Sequence, residues 1–429
     1  MSIRIAALDL NGQWRGKRLP EARRGAAEAG DVLMPLSVAA LDVTGADIEG
    51  SPLVFATGDR DGRLRPTGRI VPMPWLGRPT VLMAATLETM EGAPFAADPR
   101  AALAREVAAL EAMGLSPVCA FEPEFHLIAG GEGIAPPVSP VNGRRAQGDA
   151  IFSLQALDAY APVLDAIYDG AEAMGIPVGD ALSEGGPGQF EINLGHRPAL
   201  EAADDVALLR MLVRGTARGH GLGATFMAKP YEDAGGNGLH VHISLCRPGG
   251  ANAFGEGEAG EALLRHAIAG ALRAMPQSTL LFAPFAGSYE RLEPGSHAPT
   301  AAHWGIENRG TAIRVPSGAA AARRLEHRVP GGDCCPHLAL AAILGAMRAG
   351  IEDALAPPPP VEGDAYAAAA PALARDWAEA VEAFAGGAEI ARMLHPELID
   401  AYVRTKRQEI ALLGPLAREA RISIMREAI

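Results

Sequence analysis

The apolar positions follow two rhythms. Early in the chain they alternate or run in short β-branched stretches, which predicts strands over Ile3 to Leu10, Leu53 to Ala56 and Thr80 to Thr86. Turn-rich pieces such as Gly58-Asp59-Arg60-Asp61-Gly62 separate them. At Ala97-Asp98-Pro99-Arg100 the rhythm changes: Asp98 suits a helix N-cap, Pro99 suits the first helical position, and Ala101 to Met113 has apolar residues at helical spacing. This places a boundary near residue 95, between a small N-terminal domain, 1–95, and a large one, 96–429. Beyond it, strand-like segments that hold charged residues alternate with alanine-rich helices. The predicted helices are Leu154–Met174, Ala203–Gly219, Gly260–Ala274, Pro336–Asp353, Ala368–Phe384 and Pro396–Leu412. Pro357 to Pro360 reads as a stiff connector.

The charges inside those strand-like segments change the picture. Glu122 and Glu124 are two apart, so on a strand they share a face about 7 Å from each other. Two carboxylates that close repel unless cations hold them, although a solvated strand edge would also tolerate them. Glu184 and Glu191 bracket a loop of three glycines and a proline whose sharp turns can bring both acids to one place; the bland reading is a hairpin loop with incidental acids. His240, His242 and Ser244 alternate behind the glycine-rich run Gly235-Gly236-Asn237-Gly238, where a ligand can approach the backbone. Arg324, Glu326 and Arg328 alternate as well: either a salt-bridge ladder, or a metal carboxylate between two anion-binding guanidiniums. Arg309 and Arg314 add two more arginines near apolar neighbours. Carboxylates, histidine and arginines together suit metal-assisted phosphoryl transfer onto a carboxylate.

Composition removes other classes. A chain of 429 residues should form two or three domains, and its net charge of -13 shows no basic face for nucleic acid. The first residues lack a secretory apolar core, and the apolar stretch His337 to Ile351 is interrupted by Arg348, so the expectation is a soluble, cytoplasmic protein without a membrane partner. Four cysteines fit neither a disulfide framework nor zinc spacing; the vicinal Cys334 and Cys335 read as buried apolar residues rather than a redox pair.

Taken in order, from LDLNGQWRGK near the start to CCPHLALAAILGAMRAGIE near residue 351, these segments resemble the glutamine synthetase family, with a flavour of its γ-glutamylpolyamine and γ-glutamylamide branches in LDLNG and EGGPGQFEIN. The resemblance implies an α+β fold: a β-grasp-like N-terminal domain and a catalytic domain with a curved antiparallel sheet and surrounding helices. It implies two or more Mg²⁺ or Mn²⁺ ions per site, with ATP as co-substrate and glutamate and an amine as substrates. One ion would use Glu124, Glu184 and Glu191, the other Glu122, His240 and Glu326. His242, Ser244 and Arg324 match nucleotide contacts, and Arg291, Arg328, Gly235 and Gly236 match glutamate contacts. Arg309 and Arg314 match residues that stabilise the transferring phosphoryl group. The family also implies a homo-oligomer, a double-ring dodecamer with sites at subunit interfaces, where Asp42 is the candidate contributed by a neighbour.

Two departures stand out. After Arg291-Leu292-Glu293-Pro294-Gly295, where glutamine synthetases carry a flap glutamate that closes over ammonium, this chain has His297. Where some members have a modifiable tyrosine, it has Asp353-Ala354-Leu355-Ala356-Pro357. The implied reaction is ATP-dependent ligation of a primary amine (putrescine, another polyamine or a short alkylamine) to the γ-carboxylate of glutamate through γ-glutamyl phosphate. An ammonia-using glutamine synthetase and a non-catalytic relative are the alternatives.

Overall fold

The computed structural model describes residues 2–131, 133–148 and 150–429. In β1 (Ser2–Leu8) Ile3 and Ile5 are fully buried and Arg4 between them is not, as period-two alternation requires. β1 pairs antiparallel with β2 (Trp14–Pro20) and parallel with β5 (Thr80–Thr89), and β4 (Asp61–Pro72) and β3 (Leu33–Pro35) complete a five-stranded sheet in the order β2-β1-β5-β4-β3.

The second sheet is built on β6 (Ser116–Ala129), 14 residues long, which carries Glu122 and Glu124. The Pro99–Ala112 helix leads into it; Asp98 accepts from the Ala101 amide and Pro99 opens the first turn, as predicted. β7 (Val178–Ser183) and β8 (Gln189–Leu194) lie on one side of β6, with the short β9 (Arg197–Pro198) and β10 (Leu222–Thr225) also pairing to it. β11 (Leu239–Cys246), β14 (Leu325–His327), β13 (Ile313–Val315) and β12 (Trp304–Ile306) follow on the other side. This nine-stranded sheet is antiparallel except at β12/β13, and one apolar core runs from Ile3 through both sheets and the helices to Ile429. Among the described residues no helix is long and apolar enough to cross a membrane.

The local expectations needed several corrections. Leu53 to Ala56 is no strand: Pro52–Ala56 forms a π-helical turn, because the Ser51 hydroxyl accepts from the Leu53 amide and Pro52 fixes the first turn. The expected helix Leu154–Met174 breaks at Tyr160 into Leu154–Ala159 and Ala161–Met174, the second opened by Pro162. The Ala368–Phe384 helix starts only at Trp377 and ends at Ala385, because Ala372 bridges to Ala301 and the Asp376 side chain caps the helix at the Glu379 amide. Gly260–Ala274 extends to Gly257–Phe282 through Pro276, and a last helix, Arg418–Ala428, went unforeseen.

Candidate functional site

Strand register alone assembles the charged residues. His240 on β11 faces Glu122, Glu191 on β8 faces Glu124, Glu326 on β14 faces His242, and Arg314 on β13 faces Glu326. Directly opposite residues share a sheet face, so four glutamates, two histidines and an arginine converge from five strands. Glu122 stands at the centre. Its carboxylate, with Glu191 and His240, forms one group whose ligand atoms lie within 4.8 Å of one another, and with His242 and Glu326 it forms a second. The expected sets are thus partly regrouped: Glu122 and His240 stay together, Glu191 joins them, and Glu326 pairs with His242.

Glu124 is held differently. Its Oε2 accepts from the Gly238 amide at 2.9 Å and from Gln189 Nε2 at 3.2 Å. Glu184 lies half-buried at the loop start, under the electrostatic pull of the exposed Arg309. Burial, then the neighbouring Glu124 and Glu122 carboxylates, push Glu191 up to about 9, and burial with Glu124 pushes Glu184 up to about 7. Burial would raise Glu122 too, but hydrogen bonds with His240 and His242 hold it well below the ordinary range. Burial likewise acts on Glu326, where the cationic neighbours His240, Arg328 and Arg314 win and hold it at about 2. Since burial and Arg328 lower His240 itself, the two guanidiniums are the lasting cause. Both hydrogen-bond to Glu326, Arg328 Nη1 at 2.5 Å. The mutual repulsion of carboxylates is what a divalent cation relieves, and an oxygen-rich set with one imidazole fits Mg²⁺ or Mn²⁺.

Arg324 Nε donates to His242 Nδ1 at 3.1 Å, which leaves His242 Nε2 as the donor to Glu122 at 2.9 Å. A cavity of ≈ 860 Å³ opens there, lined by Glu122, His242, Ser244 and Arg324, with Arg247 and Asn252 further out. That volume accommodates a nucleotide. Ser244 hydrogen-bonds to the Arg323 carbonyl, which also accepts from Asn252. On the other side of the carboxylates, Arg291 is buried and donates to the Val329 carbonyl at 2.9 Å, and Arg328 Nε donates to the Arg309 carbonyl at 3.1 Å.

Residues 96–422 match the family described as glutamine synthetase, catalytic domain. The chain belongs to the glutamine synthetase family. It is therefore an ATP-dependent carbon–nitrogen ligase. Among its relatives is the γ-glutamylputrescine synthetase of Escherichia coli, 35% identical over 99% of this chain and 91% of the relative. A glutamate–isopropylamine ligase of a Pseudomonas species is 30% identical over 95% and 91%. A crystal structure of a novel glutamine synthase homolog superposes with a TM-score of 0.87 at 28% identity, covering 100% of this chain and 98% of that one.

Within this family frame, the residues that sequence reasoning missed are those joining the loops. Gln189 Nε2 donates to the Gly236 carbonyl at 2.9 Å and to Glu124, while its Oε1 accepts from the Gly186 amide at 2.8 Å. One amide thus fastens the two glycine loops to a glutamate; its only signal was its place inside the quoted motif. Gly235 is exposed at the loop rim. Gly236 and Gly238 have no room for a Cβ, which would fall 2.4 Å from the Ala228 carbonyl oxygen and 2.8 Å from Arg291 Nη2. Two expected residues make no hydrogen bond or ion pair to this cluster among the described residues. His297 is exposed on its loop with φ of 60° and makes no hydrogen bond or ion pair among the described residues. Asp42 is buried in its own chain, where Oδ1 accepts from the Thr44 and Ala46 amides and Oδ2 from Gln408 at 3.0 Å.

Proposed function

We propose that this ligase joins a primary alkylamine to the γ-carboxylate of L-glutamate, through γ-glutamyl phosphate made with ATP. The observation that carries this reading is His297: the flap position presents an exposed imidazole, where a tight ammonium cage calls for a carboxylate. The names of the relatives, a putrescine and an isopropylamine ligase, support the same direction.

Glu122, Glu191 and His240 would hold one Mg²⁺ or Mn²⁺ and Glu122, His242 and Glu326 bracket a second, with Glu124 and Glu184 beside them. Bound there, the ions neutralise phosphate charge and orient the anionic substrates. His242, Ser244 and Arg324 face the nucleotide in the ≈ 860 Å³ cavity. Arg291, Arg328 and the Gly235–Gly236 backbone hold glutamate, and Arg309 with Arg314 balances charge on the transferring phosphoryl group. An alkylammonium arrives protonated, with a pKa of about 10, so a base must take its proton before nitrogen attacks the acyl phosphate and phosphate leaves. His297 takes that role when its loop closes. The working form is a cytoplasmic double-ring dodecamer; Phe55, 88% exposed in the single chain, supports a subunit contact near Asp42.

Ammonia is the second reading, favoured by the 32% identity to a Thermus thermophilus glutamine synthetase over 85% of this chain. Phosphate release with ATP, glutamate and either ammonium or an amine panel separates the two: an alkylamine should outperform ammonium. His297→Glu should move the preference towards ammonium; an unchanged preference removes His297 from the chemistry.

A further inference from the structure

The last helix, Arg418–Ala428, carries none of the residues assigned to metal, nucleotide or glutamate. Its first residue nevertheless touches both segments assigned to glutamate. Arg418 Nε donates to Glu290 Oε2 at 3.1 Å, and Arg418 Nη2 donates to the Lys229 carbonyl at 3.0 Å. Glu290 directly precedes Arg291 and the loop that carries His297, and Lys229 opens the loop that ends at Gly235 and Gly236.

The glycine loop is a closed unit. The Asn237 amide donates to the Ala228 carbonyl at 2.9 Å across its base, and Lys229 Nζ donates to the Ala234 carbonyl at 2.8 Å across its interior. At its inner end Gly236 lies against Arg291, where a Cβ would come within 3.0 Å of Arg291 Cγ. The loop and the Glu290–Arg291 segment are therefore joined twice, by close contact at the inner end and by Arg418 at the outer end. A cavity of ≈ 40 Å³ is lined by Met227, Phe285, Ile422 and Met425 together with the three bridging residues. Apolar packing is incomplete there, so the polar contacts of Arg418 set the spacing. An isolated, half-exposed ion pair contributes little. Here one planar guanidinium serves a carboxylate and a carbonyl on two different segments, a fork that lysine cannot reproduce. Arg421 Nη2, 3.9 Å from the other Glu290 oxygen, adds charge without a hydrogen bond.

We propose that Arg418 is a positioning residue for glutamate: it sets the distance between the Gly235–Gly236 loop and Arg291, and with it the width of the glutamate site. This rests on the assignment of that loop and Arg291 to glutamate. The test is calorimetric binding of glutamate to the full-length protein with Mg²⁺ and a non-hydrolysable ATP analogue, which requires no choice of amine. Arg418→Ala and Glu290→Ala should each raise Kd for glutamate about five- to tenfold, with the number of sites and the Kd of the nucleotide analogue unchanged. Arg418→Lys, which can reach Glu290 but not both partners, should fall between Arg418→Ala and the unaltered protein. Because the two residues act through one contact, the double variant should fall well short of the product of the single effects. A helix that only stabilises the fold would instead lower the number of sites at unchanged Kd. An unchanged Kd in Arg418→Ala, a loss of sites alone, or fully multiplicative effects in the double variant overturns the proposal. Arg291→Gln, run alongside, tells the two failures apart. If it leaves Kd for glutamate unchanged, the glutamate assignment is wrong and the role of Arg418 falls with it; if it raises Kd and Arg418→Ala does not, only the role of Arg418 is lost.

Discussion

Lys406 and Glu326 are both fully buried charges, and their surroundings differ in kind. Lys406 Nζ reaches Glu409 at 2.8 Å and Asn11 Oδ1 at 2.6 Å, and sits 4.1 Å from the centre of the Phe285 ring. Asn11 Nδ2 then returns a bond to Glu409 at 2.7 Å, so one cation and one anion close on each other and join the turn between β1 and β2 to the Pro396–Leu413 helix. Around Glu326 the account does not close. Five glutamates gather on β6, β8, β14 and the adjoining loop, Glu122 among them lines the cavity of ≈ 860 Å³, and burial with the neighbouring carboxylates pushes Glu191 up to about 9. A balanced, satisfied cluster holds distant segments together; a surplus of one sign beside a cavity is unfinished until a ligand arrives.

The sharpest way to break that contrast is Glu326→Ala. It should cut turnover about 10²- to 10³-fold while the protein stays folded, since it removes a cation-facing carboxylate and frees two arginines. Near-normal turnover with Mg²⁺ would mean that Glu326 is as structural as Glu409. The mirror experiment is Lys406→Met, which strands a buried carboxylate and should cost about 3–5 kcal/mol in urea unfolding, with turnover per folded molecule retained. Adding Glu409→Leu should recover much of that loss; if the double variant is no more stable than the single, the pair is not the closed unit described. Between these extremes lies Arg328→Lys. Lysine cannot serve both the Arg309 carbonyl and Glu326, so KM for glutamate should rise roughly 10- to 100-fold, with nucleotide binding little changed in a binding assay.

The smallest effect is protonic. Glu191 and Glu184 are acids raised above their unfolded values, to about 9 and about 7, so above a pH of roughly 4.3 the folded, metal-free chain holds protons that the unfolded chain has released. Their contribution to stability therefore falls as pH rises towards 9, and a cation that takes up Glu191 must expel its proton. Mg²⁺ or Mn²⁺ uptake at pH 7.5 should release about one proton, and affinity should climb by at most roughly tenfold per pH unit up to about 9. Calorimetry in two buffers of different ionisation enthalpy measures this; absence of release would mean that Glu191 is not a ligand.

Much of the site was legible because its residues sit on strands. Period-two spacing put Glu122 with Glu124 and His240 with His242 on one face, and it survived folding unchanged. Legibility failed where no periodicity exists. Pro52–Ala56 has the composition of a strand, and only the Ser51 cap makes it a turn. Gln189 carries no motif of its own, yet it ties two loops to Glu124.

The sequence by itself determined the inventory and the faces: which acids, histidines and arginines exist, which share a strand side, and which family they resemble. Tertiary structure decided the partnerships. Whether Glu122 stands with His240, with His242 or with both depends on the register of β11 against β6, and the pairing of Glu326 with His242 depends on the register of β14 against β11, far earlier in the chain.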